Sequence, residues 1–329
     1  MKTYVILGGN GVFGVHTAMY LLEQADTRSV ICVGRNPEKP EAYSLGLGHG
    51  DSRYEYHQVH LVYEQDRLFE LFDRAKPEVI MNFAALAHGA SWTKSWRFYD
   101  SNVTALAKIV EGLTKRDYLE RYIHVGSSEL YGAVDAPAGE DAPLRPSSPY
   151  GVSKMAGDLH LLSMFDVRQF PMNIIRPSNA YGEGQQMYRV VPRAVVAGLT
   201  NRKLPLQGGG KARKSYFHAR DLAVALYLMV QKAPLGRIYN VGPLQPISIH
   251  DLVAGVADAL SMPFEQLCEV TPGREGEDSQ YWLDSSAIKQ DLGWEQQITL
   301  EDGLNRMVRW GQAHIDFLRD ESSEFVLRA

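Results

Sequence analysis

The 329-residue sequence predicts an α/β fold built on a doubly wound parallel sheet with a smaller C-terminal lobe. Three observations carry that expectation: short apolar runs alternate with amphipathic segments, the first run stops at a glycine turn, and the pattern becomes irregular after Pro177. Strands covered on both faces read as continuous apolar runs, and the covering helices supply the amphipathic stretches between them.

Tyr4-Val5-Ile6-Leu7 is the first such run, and Val12 to Leu22 follows with helical spacing, so strand, tight turn and helix are expected in that order. Runs at Ser29 to Gly34, Val79 to Ala85, Tyr122 to Gly126 and Met172 to Arg176 predict further strands, and Asp66 to Ala75 and Tyr99 to Leu113 predict helices between them. Beyond Pro177, helices are expected near Arg220 to Gln231 and Ile249 to Leu260, and a strand at Arg237 to Gly242. The resulting division is a first lobe at 1–176 and a second at 177–329, with segments near 215–245 returning to the first. Asp320 to Ala329 reads as a frayed tail.

Lys plus Arg (34) nearly balance Asp plus Glu (39), and a net charge of -5 provides no basic stripe for a nucleic-acid partner. Cys32 and Cys268 make no disulfide framework, so reduced thiols and a cytoplasmic location are expected. No signal-peptide pattern opens the sequence, and no run approaches the roughly 18 apolar residues of a membrane span. The ten histidines show no ligand spacing with the cysteines, so no metal is expected.

Gly8, Gly11 and Gly14 fall at G-x-x-G-x-x-G between the first strand and the first helix, with Val12 and Phe13 completing the turn. Glycine admits positive φ there and lets the backbone approach a pyrophosphate, whose charge meets the unpaired N–H groups of the helix start. That context predicts dinucleotide binding. The second strand ends Val33-Gly34-Arg35-Asn36 without the carboxylate that would bind an adenosine ribose, and Arg35 suits a 2′-phosphate, so NADP is expected before NAD.

Tyr150 and Lys154, at i and i+4, share one helix face. A nearby ammonium favours a phenolate, which could take a proton from a sugar hydroxyl as hydride leaves the same carbon. Ser127, Ser128 and Glu129 follow an apolar strand at its carboxyl end, where a doubly wound sheet binds ligands.

With these residues the sequence resembles the extended short-chain dehydrogenase/reductases that act on nucleotide sugars. The resemblance rests on GGNGVFG, NFAA at Asn82 to Ala85, Asn102-Val103, GSSELYG at Gly126 to Gly132, SPYGVSK at Ser148 to Lys154 and RPSNAYG at Arg176 to Gly182. LPLQGGGKARKSYFHARDLA and GREGEDSQYWLD extend it through the second half. It implies a Rossmann-type sheet, a homodimer paired through the helices at Tyr99 to Leu113 and Tyr150 to Met164, and cofactor contacts from Leu61, Ala84, Ala85 and Asn102, the last holding a relay water. His88, Asn179, Arg213, Lys214 and Arg274 are the implied substrate contacts, the diphosphate falling to Asn179 and the three cations.

Ser-Ser-Glu looks most like the triplet of sugar 4,6-dehydratases and implies that activity. The Ser-Glu pair is similar to GDP-mannose 4,6-dehydratase, while GREGEDSQYWLD is nearer the dTDP-glucose pattern. Three departures stand out: His60 where an acid usually precedes Leu61, Lys214 in place of arginine, and Ser128 in place of the aspartate that protonates departing water. A 4-ketoreductase, a 4-epimerase and a decarboxylase of nucleotide uronic acids are the related alternatives, although no arginine for a uronate carboxylate is identifiable in the sequence. A non-catalytic cofactor-binding regulator is opposed by the intact Ser127, Tyr150 and Lys154. Trp92, Trp96 and Phe98 read as core or interface aromatics.

Overall fold

The computed structural model describes residues 1–86, 92–272 and 280–324. Its first half runs β1 (Lys2–Leu7), α1 (Val12–Leu22), β2 (Thr27–Gly34), α2 (Glu41–Ser44), β3 (Tyr54–Gln58), α3 (Gln65–Ala75), β4 (Val79–Asn82), α4 (Trp96–Tyr99), α5 (Ala105–Leu113), β5 (Arg121–Val125), α6 (Pro149–Arg168) and β6 (Met172–Pro177). The second half adds β7 (Asn179–Tyr181), α7 (Val190–Leu199), β8 (Leu204–Gln207), β9 (Arg213–Lys214), β10 (Tyr216–His218), α8 (Ala219–Lys232) and β11 (Ile238–Val241). It closes with β12 (Ile247–Ser248), α9 (Ile249–Ala259), α10 (Phe264–Leu267), β13 (Cys268–Thr271), β14 (Gln280–Tyr281), α11 (Ser286–Leu292), α12 (Leu300–Ala313) and α13 (Ile315–Leu318).

Seven parallel strands form one sheet in the order β11-β6-β5-β4-β1-β2-β3. Alternation along β1 divides its side chains between two cores. Tyr4 and Ile6 pack with Val15 and Leu21 of α1 and Leu222 and Leu226 of α8, while Val5 and Leu7 pack with Leu68 and Phe72 of α3 and Ile109 of α5. Both faces are therefore dry, which is why the inner strands are apolar without interruption. β3 escapes the apolar-run criterion because it is the sheet's edge, and Tyr54-Glu55-Tyr56-His57-Gln58 is half-buried or exposed throughout.

Two elements differ from expectation. The strand read as Val79 to Ala85 ends at Asn82, whose Oδ1 accepts from Ala84 N at 3.0 Å and turns the chain out of the sheet. The helix read as Tyr99 to Leu113 carries a π-helical turn at Asp100–Thr104, and such insertions re-aim a side chain toward a site.

A second core gathers Val191 and Val195 of α7, Leu252 and Val256 of α9 and Leu304 and Met307 of α12. The cores do not part at residue 176. Leu222 and Leu226 of α8, Val241 of β11 and Ile288 of α11 lie in the first core, whereas Tyr43 lies in the second, beside which Trp310 Nε1 donates to Ala42 O at 2.7 Å. Among the described residues no helix is long and apolar enough to cross a membrane.

Three titratable side chains pin the lobes together. His218 Nδ1 accepts from Arg220 N at 3.2 Å, so its proton lies on Nε2, which donates to Glu183 Oε2 at 2.8 Å; His16 Nε2 of α1 meets the Glu183 carbonyl at 3.0 Å. His16, Glu183 and His218 are the cluster with metal-ligand proximity among the described residues. A metal on His218 Nε2 would require moving that proton to Nδ1, against the Arg220 N–H, so hydrogen bonding accounts for the arrangement.

Burial lowers the His16 pKa from 6.5 to about 4, and the contacts from His218 lower that of Glu183 from 4.5 to about 2 against the opposing effect of its burial. The unfolded chain therefore binds protons at both positions before the folded chain does. Stability should fall as pH drops from 6.5 toward 4 through His16 and from 4.5 toward 2 through Glu183, with His16 alone contributing on the order of 3 kcal/mol. Denaturant melts between pH 8 and 4 check this, and His16→Gln should flatten the upper part of the loss.

Candidate active site

The carboxyl ends of β1, β4, β5 and β6 open on one crevice of about 720 Å³, at the point where strand order reverses between β1 and β4. Gly8, Gly11, Val12, Phe13 and Gly14 form one wall, and Phe83 and Ala85 the floor beyond β4. The glycine turn is bare backbone by necessity. A Cβ on Gly14 would come 2.6 Å from Gly9 Cα and 2.7 Å from Gly8 O, and Gly8 holds φ +81° with Ala84 N 2.8 Å from its would-be Cβ. A backbone wall at a helix start fits a pyrophosphate.

The opposite wall carries Ser127, Ser128, Glu129, Tyr150 and Lys154. Ser148 opens α6 by accepting from Gly151 N at 3.1 Å, with Pro149 in the first turn, and this start places Tyr150 beside the end of β5. Ser127 Oγ accepts from Glu129 N at 3.2 Å, which leaves its own proton free for the Tyr150 phenol, to which it is hydrogen-bonded. Phe98 packs edge-on to Tyr150 with ring centroids 6.1 Å apart.

Burial and the facing Glu129 carboxylate push the Tyr150 phenol above its ordinary value, while Ser127 and the Arg189 cation pull it down. Tyr150 is thus a proton holder that becomes a base only when positive charge is added near it. Lys154 is the residue expected to supply that charge; here its Nζ donates to Val125 O at 2.7 Å and lies 3.2 Å from His124 Nε2.

Asn179 and Lys214 line the crevice, the Lys214 Nζ lying 5.6 Å above the Tyr281 ring. Arg213 does not. Neighbours on a strand face opposite ways, and Arg213 is exposed outside the crevice lining, with Nη2 donating to Pro246 O at 2.7 Å. Asn102, to which the resemblance assigns a relay water, is held in place by its own amide. From the π-helical turn its amide accepts from Leu86 N at 2.9 Å and donates to Leu86 O at 3.1 Å and Ser153 Oγ at 2.9 Å, so it fastens strand end to helix.

Leu61 and Ala84 pack against the first lobe's core outside the crevice lining. Arg35 and Asn36 follow β2, where the Arg35 carbonyl accepts from Gln58 Nε2 at 3.1 Å and the Asn36 carbonyl from Tyr56 OH. His88 and Arg274 fall outside the described residues.

The crevice also draws in Gln185, Tyr188, Arg189, Arg193 and Tyr216, none of which the sequence reading selected. Arg189 and Arg193 stand four apart across the start of α7, so they share a face. That spacing was visible in the sequence. What it borders on was not, because the opposite wall comes from a turn and a helix some 35–60 residues earlier.

Residues 5–307 match the family described as GDP-mannose 4,6 dehydratase. The trifunctional UDP-glucose 4,6-dehydratase/UDP-4-keto-6-deoxy-D-glucose 3,5-epimerase/UDP-4-keto-L-rhamnose-reductase of Arabidopsis thaliana is 24% identical over 330 residues, 99% of this chain and 49% of that protein. The chain thus spans about half the length of these Arabidopsis relatives. The dTDP-glucose 4,6-dehydratase of Haemophilus influenzae is 26% identical over 94% of this chain and 98% of its own length. Among solved structures, dTDP-glucose 4,6-dehydratase from Bacillus anthracis in complex with NAD superposes with a TM-score of 0.87 at 25% identity, covering 96% of this chain and 98% of that one.

Because a methyl at Gly14 has no room, Gly14→Ala should abolish NADH and NADPH binding and cost about 1–3 kcal/mol of stability. Cofactor fluorescence titration and a urea melt read the two effects separately.

Proposed function

We propose, because this chain belongs to the GDP-mannose 4,6-dehydratase family, that it converts a nucleoside-diphosphate sugar to its 4-keto-6-deoxy derivative. One observation carries the reading: the Glu129 carboxylate and the Ser127 hydroxyl both act on the Tyr150 phenol at the carboxyl end of β5, beside a glycine-walled crevice. An epimerase or reductase needs only the phenol; a second base beside it suits removal of a proton from the neighbouring carbon.

In this mechanism Tyr150 takes the proton of the sugar's C4 hydroxyl, and Ser127 donates to the same oxygen. A bound nicotinamide dinucleotide supplies the acceptance and later return of a hydride. Ketone formation at C4 acidifies the C5 proton, which Glu129 removes. The C6 hydroxyl then leaves as water, and with Ser128 in place of an acid, Glu129 also passes it the proton; hydride return at C6 is matched by a solvent proton at C5, and Tyr150 gives its proton back to solvent. Lys214 and Asn179 would meet the diphosphate.

Arg189 favours a second reading. Its cation lines the same crevice and acts electrostatically on Tyr150, so a carboxylate at C5 of a nucleotide uronic acid would find a cationic partner in the crevice, as in a decarboxylase or 4-epimerase.

Incubation in deuterated water with GDP-mannose, dTDP-glucose, UDP-glucose or UDP-glucuronic acid, followed by NMR, separates these readings. Deuterium at C5 with a new C6 methyl and no added reductant is expected, and Tyr150→Phe should lower turnover by about 10²-fold or more while keeping cofactor affinity. Carbon dioxide release or C4 inversion of the uronic acid would replace the dehydratase with the second reading.

For the cofactor, Arg35 and the absence of a carboxylate at the end of β2 support NADP, whereas the Bacillus anthracis relative holds NAD. NADPH should bind more tightly than NADH by about tenfold, and Arg35→Ala should remove the difference. Equal affinities in the unaltered protein would instead favour NAD. A homodimer is supported by the exposed Tyr99 and Leu159 on the helices that the family resemblance assigns to pairing, and two buried free cysteines suit the cytoplasm.

A further inference from the structure

The last residue of β2 is a glycine for a reason other than backbone angle. Gly34 closes the strand without a positive φ, so an ordinary side chain could adopt its conformation. What excludes one is space: a Cβ there would come 2.5 Å from Tyr56 OH and 3.2 Å from Asn10 Cβ. Val33 O, one residue back, accepts from Gly8 N at 2.8 Å, so Gly34 adjoins the glycine turn. At this position a dinucleotide-binding sheet can carry the carboxylate that takes the adenosine ribose. Here a phenol fills the space.

Tyr56 is held there from two sides. Its ring, on β3, is half-buried and packs against the first core. Its hydroxyl donates to Asn36 O and accepts from Asn10 Nδ2 at 3.2 Å. Asn10, within the glycine turn, commits the rest of its amide to the same loop: Nδ2 donates to Pro37 O at 2.8 Å, and Oδ1 accepts from Lys39 N at 3.2 Å. Gln58 Nε2 donates to Arg35 O at 3.1 Å, so side chains grip the backbone at 35, 36, 37 and 39.

The loop's own carboxylate, Glu38, is drawn elsewhere. It accepts from Tyr54 OH at 2.8 Å, and Tyr54 pairs with Val30, four residues back along β2. Positive charge gathers instead. Burial and the Arg35 cation both lower the His60 pKa, and Glu64 beside that histidine is taken up by His60 N at 2.7 Å and Arg67 Nη1 at 2.6 Å.

We propose that Tyr56 and Asn10 set which dinucleotide this chain accepts. The Tyr56 hydroxyl shuts a ribose-binding carboxylate out of residue 34, and the two side chains fix the 35–39 loop so that Arg35 meets a 2′-phosphate. They are positioning residues, since they act through the loop and through the side chain that residue 34 lacks. The sign of the preference rests on the NADP reading above; the steric exclusion between residues 34 and 56 does not.

Fluorescence titration of the full chain with NADPH and NADH tests both parts. Tyr56→Phe keeps the ring and removes only the hydroxyl, and should weaken NADPH about tenfold while changing NADH less than about twofold. Gly34→Asp alone should weaken both dinucleotides, because its Cβ meets that hydroxyl. In Gly34→Asp/Tyr56→Phe the nearest ring carbon lies 3.4 Å from the new Cβ, and Asn10 Cβ need yield only slightly. The double variant should bind NADH at least about tenfold more tightly than Gly34→Asp does, and reject NADPH. Equal NADH affinity in the single and double variants, or equal effects of Tyr56→Phe on the two dinucleotides, overturns the proposal. Tyr56→Phe adds no atom, so the selectivity remains readable even if Gly34→Asp fails to fold. Equal affinities of the unaltered chain for NADPH and NADH would overturn the NADP reading and the loop's part in it, while the exclusion at residue 34 is still decided from NADH alone.

Discussion

Arg176 is among the largest side chains wholly removed from solvent, and most of the site is hung from it. Its Nε meets Asp158 on α6, and its Nη1 donates to Tyr131 OH at 2.7 Å and to Glu140 O at 3.1 Å. Tyr131 in turn donates to Asn240 Oδ1 at 2.9 Å, and Asn240 N donates to Glu140 Oε1 at 2.7 Å. One guanidinium thus binds β6, α6, the turn that carries Glu129, and β11. Breaking a buried pair of this kind typically costs about 3–5 kcal/mol, because the remaining charge stays buried without its partner.

That constraint explains why the acid–base groups sit where they do. Tyr150 and Lys154 belong to a helix anchored at Asp158, and Ser127 and Glu129 belong to a turn anchored at Tyr131, so one buried cation sets the distance between the two walls. A site held this way needs no strain. Its side chains are placed by the hydrogen bonds of Arg176 beneath, leaving the crevice face to a ligand.

The electrostatics follow the same division. Tyr150 faces a carboxylate and two hydroxyl or cationic partners, so its proton is held until charge arrives from elsewhere. Lys154, on the same helix, is disfavoured as a cation by its burial and favoured by the carboxylate of Asp158. A helix-face argument at i and i+4 puts phenol and amine on the same side, but it says nothing about which way a four-carbon chain points once it is buried.

Apolar period and glycine spacing alone determined the parallel sheet, the first turn and the helix carrying Tyr150, because those features are local and each is visible within about a dozen residues. The edge strand at Tyr54 to Gln58 and the stop at Asn82 were less legible, since the first lacks a buried face and the second depends on one side-chain hydrogen bond. The bond of Arg213 to Pro246 O, the Asn102 amide's bonds to Leu86 and Ser153, the effect of Arg189 on Tyr150 and the bond of Lys154 to Val125 O were decided by tertiary structure. The physical reason is common to all four: direction and charge depend on partners brought from distant strands, and burial then decides which of those partners a polar atom can reach.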